Sequence, residues 1–370
     1  MKTYLVVFAI AMIVAMLTTP LVIWLARRTR VMDEPGPRKV HKSGIPRLGG
    51  LVILLAVTAA TLPVLILHNP IGDAFHAVQL QILALLAAGL FMFIIGLVDD
   101  VVGLRARHKL LAQVAAALVL YLSGTRIDSI GLTESIVIEL GWLSLPATIL
   151  WVTAITNAVN LIDGLDGLAV GISAVACGVI AVIAMHASLP ISSVLMLAFL
   201  GSLIGFLVFN FNPAKIFLGD CGSLFLGFVL AGCSMLSGAK YATLAGLGLP
   251  LVALGVPLFD TFFSMLRRLL ERRSLFAPDR RHVHHRLLER GLAHRQAVLV
   301  LYGVTLAATG IGMLMMVTRD KLSLLVFGVA ACFLVFAFRF IGAVRLCDSL
   351  AVARRNFMIA AESKEERRRE

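Results

Sequence analysis

The chain has 370 residues, 59% of them hydrophobic and 15% charged, and a formal net charge of +12. Apolar runs recur from end to end, which excludes a soluble domain of any size; the five cysteines (Cys177, Cys221, Cys233, Cys332, Cys347) have neither paired nor metal-type spacing, so they offer no disulfide framework and no zinc knuckle. No nucleic-acid module is visible, and the positive balance suits anionic lipid headgroups and phosphorylated ligands instead.

Runs near the length needed to cross about 30 Å of hydrocarbon predict eleven membrane helices: 3–26, 48–67, 81–98, 109–123, 143–158, 167–187, 191–209, 223–239, 243–266, 297–318 and 322–344. The first is long, lacks a small-residue cleavage site and is followed by Arg27, Arg28 and Arg30, so it reads as a retained anchor. The linkers 27–47, 99–109, 210–223 and 267–296, with the tail from Arg345, hold 27 of the 33 lysines and arginines, against five on the other side. That asymmetry places the amino terminus outside and the carboxyl terminus inside. The expected fold is an all-α polytopic membrane protein, one transmembrane domain over 1–344 with a charged cytoplasmic tail over 345–370.

The first inner linker runs from Asp33 through Pro35, Gly36 and Pro37, which prevent regular helix, to Arg38, Lys39 and His41, then to Arg47 and Gly49-Gly50. A helix entered through Gly-Gly beside basic residues is an anion site or, alternatively, a lipid anchor and topology signal. Asp99 and Asp100 close the third helix, with Lys109 and Gln113 following. Adjacent carboxylates repel unless one is protonated or a cation lies between them; a solvated helix end is the competing account. Outside, residues 126–140 alternate apolar and polar side chains as a short hairpin does.

Between two apolar runs, Asn157, Asn160, Asp163 and Asp166 follow at steps of three. A carboxylate at bilayer depth costs about 2.5 to 3.5 kcal/mol, so such groups persist where they line a wet cavity or hold a cation. On a helix, residues three apart share a face, and Gly164 and Gly167 let the backbone bend or approach a ligand; a polar helix end capping itself is the alternative. Asp220 then opens a helix between Gly219 and Gly222, with Lys215 nearby and Ser223 able to cap. In the ninth helix, Pro250, Gly255 and Pro257 predict a kink or break, and Asp260 has Arg267 and Arg268 as candidate partners. Arg281, His282, His284, His285 and Arg286 follow. Five arginines from Arg273 to Arg290 surround the histidines, a field that suits phosphate or nucleotide better than zinc.

The blocks Arg38 to Gly50, Asp99-Asp100, Asn157 to Gly167, Asn212 to Ser223, Pro257 to Thr261 and Asp279 to Leu287 resemble, in order, the polyprenyl-phosphate N-acetylhexosamine-1-phosphate transferases of glycosyltransferase family 4. The resemblance implies that a cytoplasmic UDP-sugar gives its sugar-1-phosphate to a polyprenyl phosphate in the bacterial inner membrane, with UMP leaving and Mg²⁺ required, Mn²⁺ being the alternative ion. It makes Asp220 the principal metal ligand with Asn160 close to the same ion, and Asp99, Asp100, Asp163 and Asp166 the acidic catalytic residues. Arg38, Lys39, His41, Arg47, Lys109, Asn157, Arg281, His282, His284 and His285 become contacts to phosphate, nucleotide or sugar. The His-x-His-His-Arg block is similar to the branch that uses UDP-GlcNAc and undecaprenyl phosphate; the branch that uses UDP-MurNAc-pentapeptide has uninterrupted histidines where Val283 stands here. The implied partners are those two substrates and membrane lipids, with no nucleic acid, and a homodimer is compatible with them.

Physical chemistry favours the same assignment, because joining a phosphate to a pyrophosphate needs a metal and basic side chains to neutralise the charge. The acceptor phosphate has a second pKa near 6, so it is mostly ionised at neutral pH and needs little help from a general base. Asp99 and Asp100 then act as electrostatic and positioning groups, or as a base only for the protonated fraction of the acceptor, and a covalent intermediate on an Asp stays open. Two other classes are weighed. A secondary transporter places polar groups at mid-membrane, but no repeat relates the halves here. An intramembrane aspartyl protease would pair Asp260 with Gly219-Asp220, yet Phe217 stands where it expects glycine.

Overall fold

The computed structural model describes residues 2–33, 44–66, 71, 74–75, 78–133, 136–238, 244–271, 282–318 and 321–342. In chain order the helices are α1 (Lys2–Thr29), α2 (Gly49–Ile66), α3 (Gln79–Val102), α4 (Ala106–Leu122), α5 (Ser144–Ile162), α6 (Leu168–His186) and α7 (Pro190–Asn210). Then come α8 (Gly219–Gly238), α9 (Leu244–Ala253), α10 (Gly255–Leu270), α11 (Val283–Glu289), α12 (His294–Val317) and α13 (Lys321–Ile341). A 3-10 turn (Gly141–Leu143) leads into α5, and there are two small antiparallel pairs: β1 (Met32–Asp33) with β2 (Ile45–Pro46), and β3 (Ser129–Thr133) with β4 (Ile136–Glu139). The second is the hairpin expected within 126–140.

Among the described residues, nine helices are long and apolar enough to cross a membrane, or ten if the bent pair α9 and α10 forms one span. The expected segment not among them is the fourth, 109–123, which is α4, a helix of 17 residues with Arg107 and Lys109 in its first turn. The predicted break in the ninth helix is present: α9 and α10 meet at Leu254 with a bend of 76°. Pro257 has no N–H to give the carbonyl four residues back, so the ladder fails at the bend. Beyond it, α10 buries Asp260, Thr261 and Ser264 and exposes Phe262, Met265 and Leu269, a helix with one polar buried face and one apolar outer face.

α8 is the axis of the bundle, the most deeply buried of the candidate spans, and it contacts α2, α3, α5 and α6. Small residues make the approach. A side chain at Gly96 would strike the Asp220 carbonyl, one at Gly50 the Gly222 backbone, and one at Gly227 would lie 2.8 Å from the Thr156 Cα. Where the surroundings are as apolar as the side chains, such close backbone contact is what holds helices together. Gly201 and Gly205 do the same for α7 against α1, where any Cβ would meet the Phe8 and Met12 carbonyls. Outer helices α1 and α13 keep Leu5, Leu17, Leu21, Phe336 and Phe340 exposed, as a lipid-facing surface requires.

Candidate active site

The amino-terminal ends of α2, α8 and α12 and the carboxyl-terminal ends of α3 and α5 meet at one end of the bundle. Asp99 and Asp100, adjacent in sequence, point into different surroundings there. The Asp99 Oδ2 accepts a hydrogen bond from Lys109 Nζ at 2.6 Å, and its Oδ1 accepts the Leu104 N–H. Asp100 is fully covered, and its two oxygens accept the Asp220 and Cys221 N–H groups, each at 2.9 Å, with Arg47 Nε 3.8 Å from Oδ1. Mutual repulsion is thus relieved by giving one carboxylate an ammonium and the other a helix amino terminus, where unpaired N–H groups and the helix dipole favour negative charge. Asp100, not the expected Ser223, caps α8. Gly219 makes this fit possible: its φ is +75°, and a Cβ there would lie 2.7 Å from the Asp100 Oδ2.

The Asp220 side chain turns toward α5. Its Oδ1 accepts Asn160 Nδ2 at 2.6 Å, Oδ2 stands 3.6 Å from Lys109 Nζ, and Asn160 also donates to Ser223 Oγ at 2.9 Å. Asn157, one turn earlier, faces α4 instead, exchanging amide hydrogen bonds of 2.6 and 3.2 Å with Gln113. The four-residue face predicted from steps of three therefore does not persist. α5 ends at Ile162, and Asp163 to Gly167 form a loop.

That loop is braced from two sides. The Asp166 Oδ2 accepts Asn212 Nδ2 at 2.9 Å and the Ala214 N–H at 3.1 Å, which ties it to the segment before α8. The Asp166 N–H donates to His294 Nε2 at 3.0 Å, the Tyr302 hydroxyl donates to the Gly167 carbonyl, and Arg295 Nε donates to the Asn212 carbonyl at 2.7 Å. All three come from α12, a helix in which the sequence shows no motif. Its only signal was a histidine and an arginine opening an otherwise apolar run. Asp163 lines the cleft, and burial, followed by the charges of Asp220 and Asp100, pushes its carboxyl up to about 8.

The histidines sit on and before α11. Asp260 does not pair with Arg267 or Arg268 as expected: its Oδ2 meets His282 Nδ1 at 2.8 Å and its Oδ1 accepts the Val283 N–H at 2.8 Å. The His282 and His284 rings are parallel with centroids 5.8 Å apart, and His284 covers Gly164, where a Cβ would lie 2.7 Å from Nε2. Burial and the neighbouring imidazoles hold His284 well below the usual histidine range. His285 reaches the cleft wall. The three rings have separate tasks and do not converge as a zinc site does.

A cleft of about 280 Å³ opens between these elements, lined by Arg47, Asn160, Asp163, Asp166, Asp220, His285 and His294, with Asp33, Asn210 and Phe217 at its edge. Among the described residues no three His, Cys, Asp or Glu side chains form a ready metal cage. Asp163, Asp220 and Asn160, all in the lining of the cleft, nevertheless offer oxygen donors, and Mg²⁺ is held by one or two carboxylates together with waters and substrate phosphates rather than by a protein cage. The donor set fits that ion. The structure thus brings Arg47, Asn160, Asp163, Asp166, Asp220 and His285 to one cleft, with Asp99 and Lys109 behind Asp220. It sets Asp100, Asn157, His282 and His284 in supporting positions. Arg38, Lys39, His41, Arg281 and the expected tail lie outside the described residues. The anion site expected at Gly49-Gly50 is filled by protein, since both N–H groups donate to the Phe217 and Leu218 carbonyls at 3.0 and 2.9 Å.

Residues 82–238 match the family model of glycosyl transferase family 4. The chain is 39% identical over 300 residues to a probable undecaprenyl-phosphate N-acetylglucosaminyl 1-phosphate transferase of Bacillus subtilis, covering 80% of each chain. It is 34% identical over 315 residues to a decaprenyl-phosphate N-acetylglucosaminephosphotransferase of Mycobacterium leprae, covering 79% of this chain and 78% of the relative. A phospho-N-acetylmuramoyl-pentapeptide-transferase of Halalkalibacterium halodurans is 32% identical over 255 residues, covering 64% and 75%.

Proposed function

The chain belongs to glycosyl transferase family 4 and is a multi-pass membrane phospho-sugar transferase, and on that premise we propose that it transfers GlcNAc-1-phosphate from UDP-GlcNAc to undecaprenyl phosphate. The products are polyprenyl-diphosphate-GlcNAc and UMP, a first membrane step in building a cell-envelope glycan. The apposition of Asp220 with Asn160 at 2.6 Å and Lys109 at 3.6 Å, beside a cleft walled by Arg47 and His285, carries this reading. It supplies anionic oxygens for a cation and basic groups for phosphate at the meeting of five helix ends.

In the reaction, an oxygen of the acceptor phosphate bonds to the sugar-bearing phosphorus, and the bond from that phosphorus to the bridging oxygen breaks, leaving UMP. Asp220, Asn160 and Asp163 are the residues that would hold Mg²⁺, which when bound neutralises phosphate charge. Lys109, held by Asp99, places a cation beside Asp220, while Arg47 and His285 face phosphate and sugar oxygens. Asp100 keeps the first turn of α8 in place, and Asp166 fixes the loop that carries Asp163. No step needs a protein base, since the acceptor is already ionised at neutral pH. We place eleven crossings in the bilayer, α4 and the α9–α10 pair each counting as one, with the amino terminus outside and the cleft on the cytoplasmic side of the inner membrane, as the charge asymmetry favours.

The donor is tested by measuring kcat/KM of the purified chain for UDP-GlcNAc and for UDP-MurNAc-pentapeptide at saturating Mg²⁺ and undecaprenyl phosphate. UDP-GlcNAc is expected to be turned over with UMP released, and the bulkier donor to be rejected sterically. Preference for the pentapeptide donor would move the chain to the branch of its muramoyl relatives. Labelled substrate crossing a sealed vesicle without lipid product would point to transport.

A further inference from the structure

Asp260 belongs to none of the groups that touch the cleft, yet it is a buried carboxylate on the second half of a broken span, 5% exposed. It does not neutralise an arginine of its own helix. Both of its oxygens cross to α11: one to His282 Nδ1 and one to the Val283 N–H, each at 2.8 Å. With one Asp260 oxygen on Nδ1 and the other on the adjacent backbone N–H, the His282 ring is held in one orientation. The backbone contact satisfies one of the open N–H groups of the first turn.

α11 needs such an anchor. At seven residues it is far below the length at which a helix holds itself together. Val283 and Leu287 bury one face, His285 and Leu288 wall the cleft, and the His284 ring lies over Gly164 in the loop of Asp163. The far end is tied as well, by Arg290 Nη1 donating to the Phe340 carbonyl of α13 at 2.7 Å. A shift at the front of α11 is therefore felt at the cleft wall, where 1 Å of misplacement is costly to catalysis.

We propose that Asp260 is a positioning residue of the transferase: it clamps His282 and the first turn of α11 to α10, and through them holds His285 and His284 against the donor cleft. The kinetic part of this rests on the function proposed above; the clamp itself does not.

The full-length purified protein is compared with Asp260→Asn, Asp260→Glu, His282→Ala and the Asp260→Asn/His282→Ala double variant. In Asp260→Asn, amide hydrogen exchange across 282–289 should quicken while exchange in α8 and α12 stays as in the parent. KM for UDP-GlcNAc should rise roughly tenfold, the size of one lost charge-assisted hydrogen bond, with a smaller fall in kcat. Asp260→Glu should recover part of the loss, and the double variant should be no worse than the poorer single, because both remove one interaction. Unchanged exchange across 282–289, or losses that multiply in the double variant, would overturn the proposal. If the parent turns over no UDP-sugar, the functional reading fails, and the exchange result still decides whether the clamp exists.

Discussion

At the level of single residues, the carboxylates of the site differ in what their removal exposes. Asp100→Asn leaves one oxygen to accept an α8 N–H but turns an NH₂ toward the other, so a buried donor loses its partner at a cost of about 1–3 kcal/mol. In Asp220→Asn the oxygen can keep the Asn160 hydrogen bond, and the new NH₂ turns toward Lys109, which stands 3.6 Å away and keeps its bond to Asp99, so the defect is milder. We therefore predict that Asp100→Asn lowers the midpoint of thermal unfolding in detergent and reduces turnover, whereas Asp220→Asn abolishes turnover with the midpoint near that of the parent. Near-normal rates in Asp220→Asn at ordinary Mg²⁺ would reduce Asp220 to a bystander. Asp163 gives a pH signature. Its carboxyl stands at about 8 in the folded chain against 3.8 for an ordinary aspartate, so in this range the folded state holds the extra proton and stability falls as pH rises from about 4 to about 8. In Mg²⁺-free buffer, Asp163→Asn should be the more stable protein by a few degrees at pH 8, with the gap closing toward pH 5 and added Mg²⁺ narrowing it through the parent. A gap independent of pH would refute the assignment. Neither effect was legible in the sequence, which shows Asp99-Asp100 as one repelling pair and Asp163 as one of four equivalent steps.

The elements themselves were legible where apolar runs are long, and this is why the break at Leu254 and the 126–140 hairpin appear where proline, glycine and alternation put them. Partnerships across the bundle were not, because they join residues 120 or more positions apart: Asp100 with the first turn of α8, and Tyr302 and His294 with the loop at Asp166 and Gly167. Gly96 tests the first of these. Its missing side chain lets α3 lie against the Asp220 backbone, so Gly96→Ala must push α3 and α8 apart, an overpacking cost of about 1–3 kcal/mol. Turnover should fall along with stability, since the Asp100 cap and the Asp220 side chain sit on the same turn; Gly328→Ala, in α13 and with nothing within 4 Å of its Cβ, should lower neither. Tyr302→Phe tests the second. It removes the hydroxyl that meets the Gly167 carbonyl and should cost about 0.5–1.5 kcal/mol in unfolding free energy, with donor KM rising because the Asp163 loop loses a brace from α12. A parent-like KM would limit α12 to a packing role.

For the molecule as a whole, the cleft's side of the membrane decides the mechanism, because the proposed nucleotide-sugar donor would reach it from the cytoplasm. Geometry puts Asp99, Asn160, Asp220 and His285 at one end of the bundle, while the β3–β4 hairpin precedes α5, whose far end carries Asn160 and Ile162. α5 is long and apolar enough to cross a membrane, and with α5 as a span the hairpin and the cleft face opposite sides of the bilayer. The sequence favours one choice through charge: 27 of the 33 lysines and arginines fall in the linkers and tail that the charge pattern assigns to the inner face, and such residues are retained in the cytoplasm during insertion. A single cysteine introduced at Val137, in the exposed hairpin, should react with an impermeant maleimide added to sealed spheroplasts. One at Glu289, at the end of α11, should react only after the membrane is opened. Of the five native cysteines, Cys177, Cys221 and Cys233 are buried and Cys332 lies on α13; Cys347, in the tail outside the described residues, is replaced by serine in the labelled chains. Reversed labelling would put the cleft outside, away from any UDP-sugar, and would end the proposed reaction along with the topology; labelling at both positions would place α5 on one side of the bilayer and remove it from the spans.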